Sequence, residues 1–165
     1  YLLFSLGIKW HVHQVFSRNL KEQHIVYKRL TTIPTPLNTI LWNGTAETDS
    51  GLVTGTYSLL DSDQKVSFMH LPSNKHYQED FENAEVVNRI DVLAKGWVLC
   101  KRQDDTLIIN DARFGPIYTD KNKPMFGFGW KIFKQYEQYV ALRQEPPRNE
   151  MKGALKTLLN RIKGD

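Results

Sequence analysis

The sequence predicts an α+β domain: a curved antiparallel sheet of about six strands, covered by N-terminal, central and C-terminal helices. Three observations predict it. Ile8, Val12, Val15, Phe16 and Leu20 repeat at helical spacing near the start. Alternating or β-rich runs separated by turn residues fill the middle. An amphipathic stretch follows the break at Glu145-Pro146-Pro147-Arg148.

The opening segment, residues 1–9, reads in either of two ways. "YLLFSLGIK" is the end of a truncated membrane helix, or it is the start of a buried helix. It lacks the basic start and small-residue cleavage site of a signal peptide, and it is too short to span a bilayer, which takes about 20 apolar residues. Lys9, Arg18, Lys21, Lys28 and Arg29 follow it against Glu22 alone, a charge bias that marks the cytoplasmic side of a membrane. Trp10 then suits the interface. Residues 10–165 read as one soluble α+β domain, with the first helix running to about Gln23.

Pro34 and Pro36 forbid helix and belong at the start or edge of a strand. From Leu37 the chain is free to pair, placing Asn38, Ile40 and Trp42 on one face. Asn43-Gly44 either turns or continues the strand through a bulge, and "ETDSG" (47–51) is the better turn. Asn43-Gly44-Thr45 also spells a glycosylation triplet, read as chance. "GLVTGTYSLLD" and "KVSFMHLP" give the next two strands. A helical region from Asn74 to Lys95 follows, with Ser73 as N-cap and "EDFENAE" as a division point. "GWVLCKRQ" and "TLIINDARFG" flank Asp104-Asp105 as a hairpin. "MFGFGWKIFKQYEQYVALRQEP" keeps one parity and reads as a single long strand that bends at Gly127 and Gly129. The last helix starts near Asn149.

The chain has 165 residues, enough for one domain with a core, and its 41% hydrophobic and 24% charged content excludes a disordered protein. A net charge of +4, spread along the chain, suits an acidic ligand or an anionic membrane surface and gives no reason to expect nucleic acid. Cys100 is the one cysteine, so no intrachain disulfide forms; its setting is that of a small buried hydrophobe.

Few residues carry candidate chemistry. His11 and His13 lie two apart on a helix and point about 200° from each other, so they cannot clasp one ion. No His-Glu-x-x-His run, paired cysteines, phosphate-cradling glycine loop or nucleophile elbow is present, so no metal ligand or catalytic residue is assigned. The most suggestive group is "NDARFG" (110–115). Asp111 and Arg113 share a strand face with Leu107 and Ile109. Two explanations stand: a mutually satisfied ion pair, or a binding site in which Arg113 holds an anionic group and Asp111 orients it. In the second case Asn38, Trp42, Tyr57, Asp111 and Arg113 surround a pocket for a small molecule or anion on the concave sheet face.

Four short motifs recur in order: Pro34-x-Pro36-x-Asn38-x-x-x-Trp42, Gly55-x-Tyr57-Ser58-Leu59-Leu60, Asp111-x-Arg113-Phe114-Gly115 and Phe126-x-Phe128. In this the chain resembles, from about Ile8 to Trp130, the C-terminal soluble domain of the YdjM-like family of inner-membrane proteins described as metal-dependent hydrolases. The resemblance implies a cytoplasmic domain of a bacterial integral-membrane protein, tethered to the membrane through preceding helices. It also implies a divalent metal held in the membrane portion, with no ligand in this chain, so that this part is itself non-catalytic. A binding module and a structural or partner-interaction scaffold are the alternatives. The sequence departs from the family pattern at Asn43, where a basic residue is expected.

Overall fold

The structure is a computed structural model that describes residues 2–36, 38–81, 84–118, 124–145 and 148–164. Helix α1 (Leu2–Glu22) comes first. Strands β1 (Arg29–Pro34), β2 (Leu41–Thr48), β3 (Gly51–Ser58) and β4 (Met69–Leu71) follow, then a 3-10 helix (Lys75–Phe81) and helix α2 (Glu85–Leu93). Strands β5 (Val98–Gln103), β6 (Thr106–Asp111), β7 (Ile117–Tyr118), β8 (Pro124–Met125), β9 (Gly129–Gln135) and β10 (Gln138–Gln144) lead to helix α3 (Arg148–Ile162).

The class is α+β, as the residue patterns predict, but the single curved six-strand sheet is not what forms. Two antiparallel four-stranded sheets form instead, ordered β1-β2-β3-β4 and β10-β9-β6-β5, with β7 and β8 as a separate pair. Two local facts account for the difference. First, the long final strand is a hairpin: Gln135 pairs with Gln138 around Tyr136 and Glu137, both at positive φ (46° and 62°). Neither residue favours that conformation, so no turn signal stands in the sequence. Second, only Met69–Leu71 of "KVSFMHLP" pairs with β3, which ends the first sheet early.

Of the two settings expected for the prolines, a strand start or an edge, Pro34 takes the second. Pro34 closes β1 rather than opening β2, and it is tolerated because β1 is an edge strand. Leu37 lies outside the described residues. Asn38 is in the connecting loop, and β2 begins at Leu41. The central helical region divides, as "EDFENAE" allows, into the 3-10 helix and α2. Ser73 is not a cap; its carbonyl accepts the Cys100 N–H at 2.8 Å. The 47–51 turn and the Asp104-Asp105 hairpin form as read, and Asn43-Gly44 continues the strand.

Helix α1 packs on one face of the first sheet. Val12, Val15, Phe16 and Leu20 are at most 2% exposed, against Trp42, Ala46, Val53 and Tyr57. A Cβ on Gly44 would fall 2.4 Å from Phe16 Cδ1, so only glycine lets helix and sheet close to this distance. Each such large side chain removed from water contributes about 1.5–3 kcal/mol. Leu6 and Trp10, earlier on the same helix, are 55% and 67% exposed. Among the described residues no helix is long and apolar enough to cross a membrane.

The second sheet has its own core, in which Val87, Ile90 and Ala94 cover Val98, Cys100, Leu107, Ile109 and Ile132. The two sheets meet where Leu52 packs on Trp97, Leu99 and Ala112. Glu47 strengthens that junction. It takes hydrogen bonds from Arg29 and, at 3.2 Å, from Lys75, while the Arg29 guanidinium lies 4.2 Å from the centre of the Trp97 ring. Helix α3 returns to the end of β3: Arg161 Nη2 donates to Asp61 Oδ2 at 2.7 Å, and Ser58 Oγ donates to the Ile162 carbonyl at 2.8 Å.

Candidate functional site

The Asp111-Arg113 pair sits at the C-terminal end of β6. Asp111 is 2% exposed and takes four hydrogen bonds from one residue. Its Oδ1 accepts from the Arg113 backbone N–H and from Nε, both at 3.0 Å. Its Oδ2 accepts from Nε at 3.1 Å and from Nη2 at 2.6 Å. This bidentate fork holds the guanidinium above its ordinary pKa through the hydrogen bond to Asp111, against an opposing effect of burial. The Phe114 ring lies 5.4 Å from Arg113 Cζ and stacks at an angle on Phe128, 5.2 Å away.

Next to this pair the sheets trap a polar cluster that sequence reasoning missed. Asn43, Thr45 and Thr54 are each at most 2% exposed. Asn43 Nδ2 donates to Thr45 Oγ1 at 3.0 Å, and Thr54 Oγ1 donates to Asn43 Oδ1 at 3.1 Å. Thr45 Oγ1 also donates to the Ala112 carbonyl at 3.4 Å, reaching the residue between Asp111 and Arg113. Gly115 closes the cluster. The signal was present in the alternation: Asn43 and Thr45 have the opposite parity to Trp42 and Ala46, and Thr54 stands directly across from Thr45. Burial of Asn43 also keeps its amide from serving as a glycosylation acceptor.

The five residues proposed to line one pocket are not brought together. Trp42 and Tyr57 are cross-strand partners in the core beneath α1. Trp42 spends its indole N–H on the Thr39 carbonyl at 2.9 Å, and burial, with a smaller effect of Asp61, pushes the Tyr57 hydroxyl up from its ordinary pKa. That face is opposite the one carrying Asn43, Thr45 and Thr54, which meets Ala112. Asn38 organises its loop. Its Oδ1 accepts from the Ile40 and Leu41 N–H groups at 3.0 and 2.7 Å, and its Nδ2 donates to Thr35 Oγ1 at 2.7 Å. This is the side-chain mimicry of a turn that asparagine does well.

A cleft of about 590 Å³ lies elsewhere, between the 3-10 helix and α2, lined by Lys75, His76, Gln78, Val87, Asn88 and Asp91. None of the five residues borders it. Its lining mixes both charge signs, and Lys75 already serves Glu47. Among the described residues no three histidine, cysteine or acidic side chains gather as a metal site. Cys100 lies under α2, with its thiol pushed up to about 12 by burial and then by the Asp91 charge, which leaves it unreactive at neutral pH. The chemistry available at the sheet junction is therefore hydrogen bonding and charge pairing already completed within the chain. No protein-family model matches the chain, and no curated protein or solved structure is significantly similar to it.

Proposed function

We propose that this chain is a non-catalytic, membrane-proximal scaffold: the cytoplasmic C-terminal domain of a bacterial inner-membrane protein of the YdjM-like, metal-dependent hydrolase class. The observation that carries the reading is the division of α1. One face, with half-buried Ile8 and buried Val12, Val15, Phe16 and Leu20, is locked into the first sheet, while Leu6 and Trp10 project from the other side of the first half beside Lys9. One unbroken helix of 21 residues, about 30 Å long, joins the two halves. A tryptophan next to a lysine on an apolar turn is the chemistry of a bilayer interface. In this reading α1 is a rigid strut that holds the two-sheet body at a set distance and orientation from the bilayer.

The test uses vesicles of mixed zwitterionic and anionic phospholipid with brominated acyl chains. Bromine quenches the emission of Trp10, and Trp10→Phe removes the quenched component while the buried Trp42 and Trp97 and the half-buried Trp130 of the second sheet stay unaffected. Absence of quenching at saturating lipid overturns the membrane assignment. Metal-dependent turnover of ester or phosphoester substrates by the purified chain overturns the non-catalytic one.

A further inference from the structure

Three of the four edges of the two four-stranded sheets are blunted. Strand β1 ends in Pro34 and holds Arg29 in an ion pair. Strand β4 has three residues and runs into Pro72. Strand β5 is backed by Ser73, whose carbonyl takes the Cys100 N–H. These are the devices by which proteins protect unpaired edges. Strand β10 is the least protected, with Arg143 as its one charged side chain. It runs seven residues, Gln138–Gln144, without proline, and among the described residues nothing pairs with its outer side. Leu142 on it is 57% exposed.

We propose that this edge docks a second copy of the chain, β10 against β10, antiparallel about a two-fold axis at Ala141. The turn at Tyr136-Glu137 makes Gln135 and Gln138 a hydrogen-bonded pair, so the alternation turns the backbone groups of Tyr139, Ala141 and Arg143 outward. An axis at Ala141 sets Ala141 against its own copy and Tyr139 against Arg143 of the second copy. Every outward N–H and C=O then finds a partner, because outward residues face outward residues. The side chains agree with the same register. The sequence Gln-Tyr-Val-Ala-Leu-Arg-Gln reads nearly alike from both ends. Gln138 meets Gln144 and Val140 meets Leu142, while the Arg143 guanidinium, which lies 5.5 Å from the Phe128 ring of its own chain, stands across from Tyr139 of the second copy. No like charges oppose each other within the strand pair. The product is an eight-stranded sheet continuous across the two copies.

Sedimentation of the whole chain over a wide concentration range tests this. The expected result is a reversible monomer–dimer equilibrium. Ala141→Pro removes an outward N–H and leaves the hairpin's own ladder intact, so it weakens the dimer about tenfold or more while circular dichroism stays that of the folded chain. Should Ala141→Pro misfold, Leu142→Lys, an exposed position, decides by the same criterion. Ala141→Cys should form a disulfide-linked dimer on mild oxidation, because facing hydrogen-bonded residues lie about 5.5 Å apart. A chain that stays monomeric throughout, or a dimer indifferent to both Ala141→Pro and Leu142→Lys, overturns the proposal.

Discussion

The α-carbon of Gly115 rests against the amide of Asn43: a Cβ there would lie 2.2 Å from Asn43 Oδ1 and 2.5 Å from Nδ2. Gly115 also has φ of +72°, a conformation that disfavours a side chain independently of space. Asn43 is on β2 of the first sheet and Gly115 is in the loop that follows β6 of the second, so this contact limits how closely that loop and the first sheet approach. Gly115→Ala is expected to cost about 2–4 kcal/mol in urea denaturation, combining strain with overpacking. The cost should fall in an Asn43→Ala background, where the obstructing amide is gone. Equal costs in the two backgrounds would show that backbone strain alone is responsible.

Arg113→Ala leaves Asp111 buried without its counter-charge. A loss of about 3 kcal/mol or more in unfolding free energy is expected. Asp111→Ala with Arg113→Ala should cost less than the sum of the single changes, since both removed groups served each other. A stable, fully folded Arg113→Ala variant would point instead to a ligand role for the guanidinium.

Glu47 links stability to pH. Burial pushes its carboxyl up, but the hydrogen bonds and charges of Arg29 and Lys75 outweigh that and hold it below its ordinary value of 4.5. The folded state therefore binds this proton less readily than the unfolded chain does. Its contribution is complete above 4.5 and is lost as pH falls through the depressed folded value. Glu47→Gln should accordingly flatten the decline in urea midpoint on the acid side of 4.5 relative to the unaltered chain. An unchanged slope would remove Glu47 from the account.

Cys100 is expected to resist thiol reagents at neutral pH and to react at the rate of global unfolding. Burial and a thiol raised to about 12 both enforce this. Rapid labelling of the native chain would mean that α2 opens locally over β5.

The β9-β10 turn offers a stabilising change. Tyr136 and Glu137 occupy positions where Asn-Gly is preferred, and Tyr136 is 93% exposed. Tyr136→Asn with Glu137→Gly should raise stability by about 1 kcal/mol, read as a higher melting temperature. The Lys134–Glu137 ion pair lost in the exchange is exposed and offsets little.

These residues also show what the sequence could and could not disclose. The α1 stripe was legible because a helical period sustained from Ile8 to Leu20 has one explanation. The Asp104-Asp105 hairpin was legible because turn residues mark it. The β9-β10 hairpin was hidden, since Tyr136-Glu137 continues the parity of its flanks and bears no turn chemistry. The Asp111-Arg113 pairing was within reach, because two residues on one strand face are neighbours by geometry alone. The Asn43 cluster needs a contact between two sheets, and no periodicity within either strand encodes the distance to the other. Asn38 misled for a related reason: its side chain replaces a strand with a turn, and its residue type permits both.

The clasp of Arg161 on Asp61 spans a hundred positions of sequence. Closing so long a loop carries an entropic cost that grows slowly with length but must be met before the contact returns any energy. The clasp therefore belongs to the late, native side of the folding barrier. Weakening it should accelerate unfolding and leave the refolding rate nearly untouched, so that α3 governs how long the folded chain lasts more than how quickly it is made.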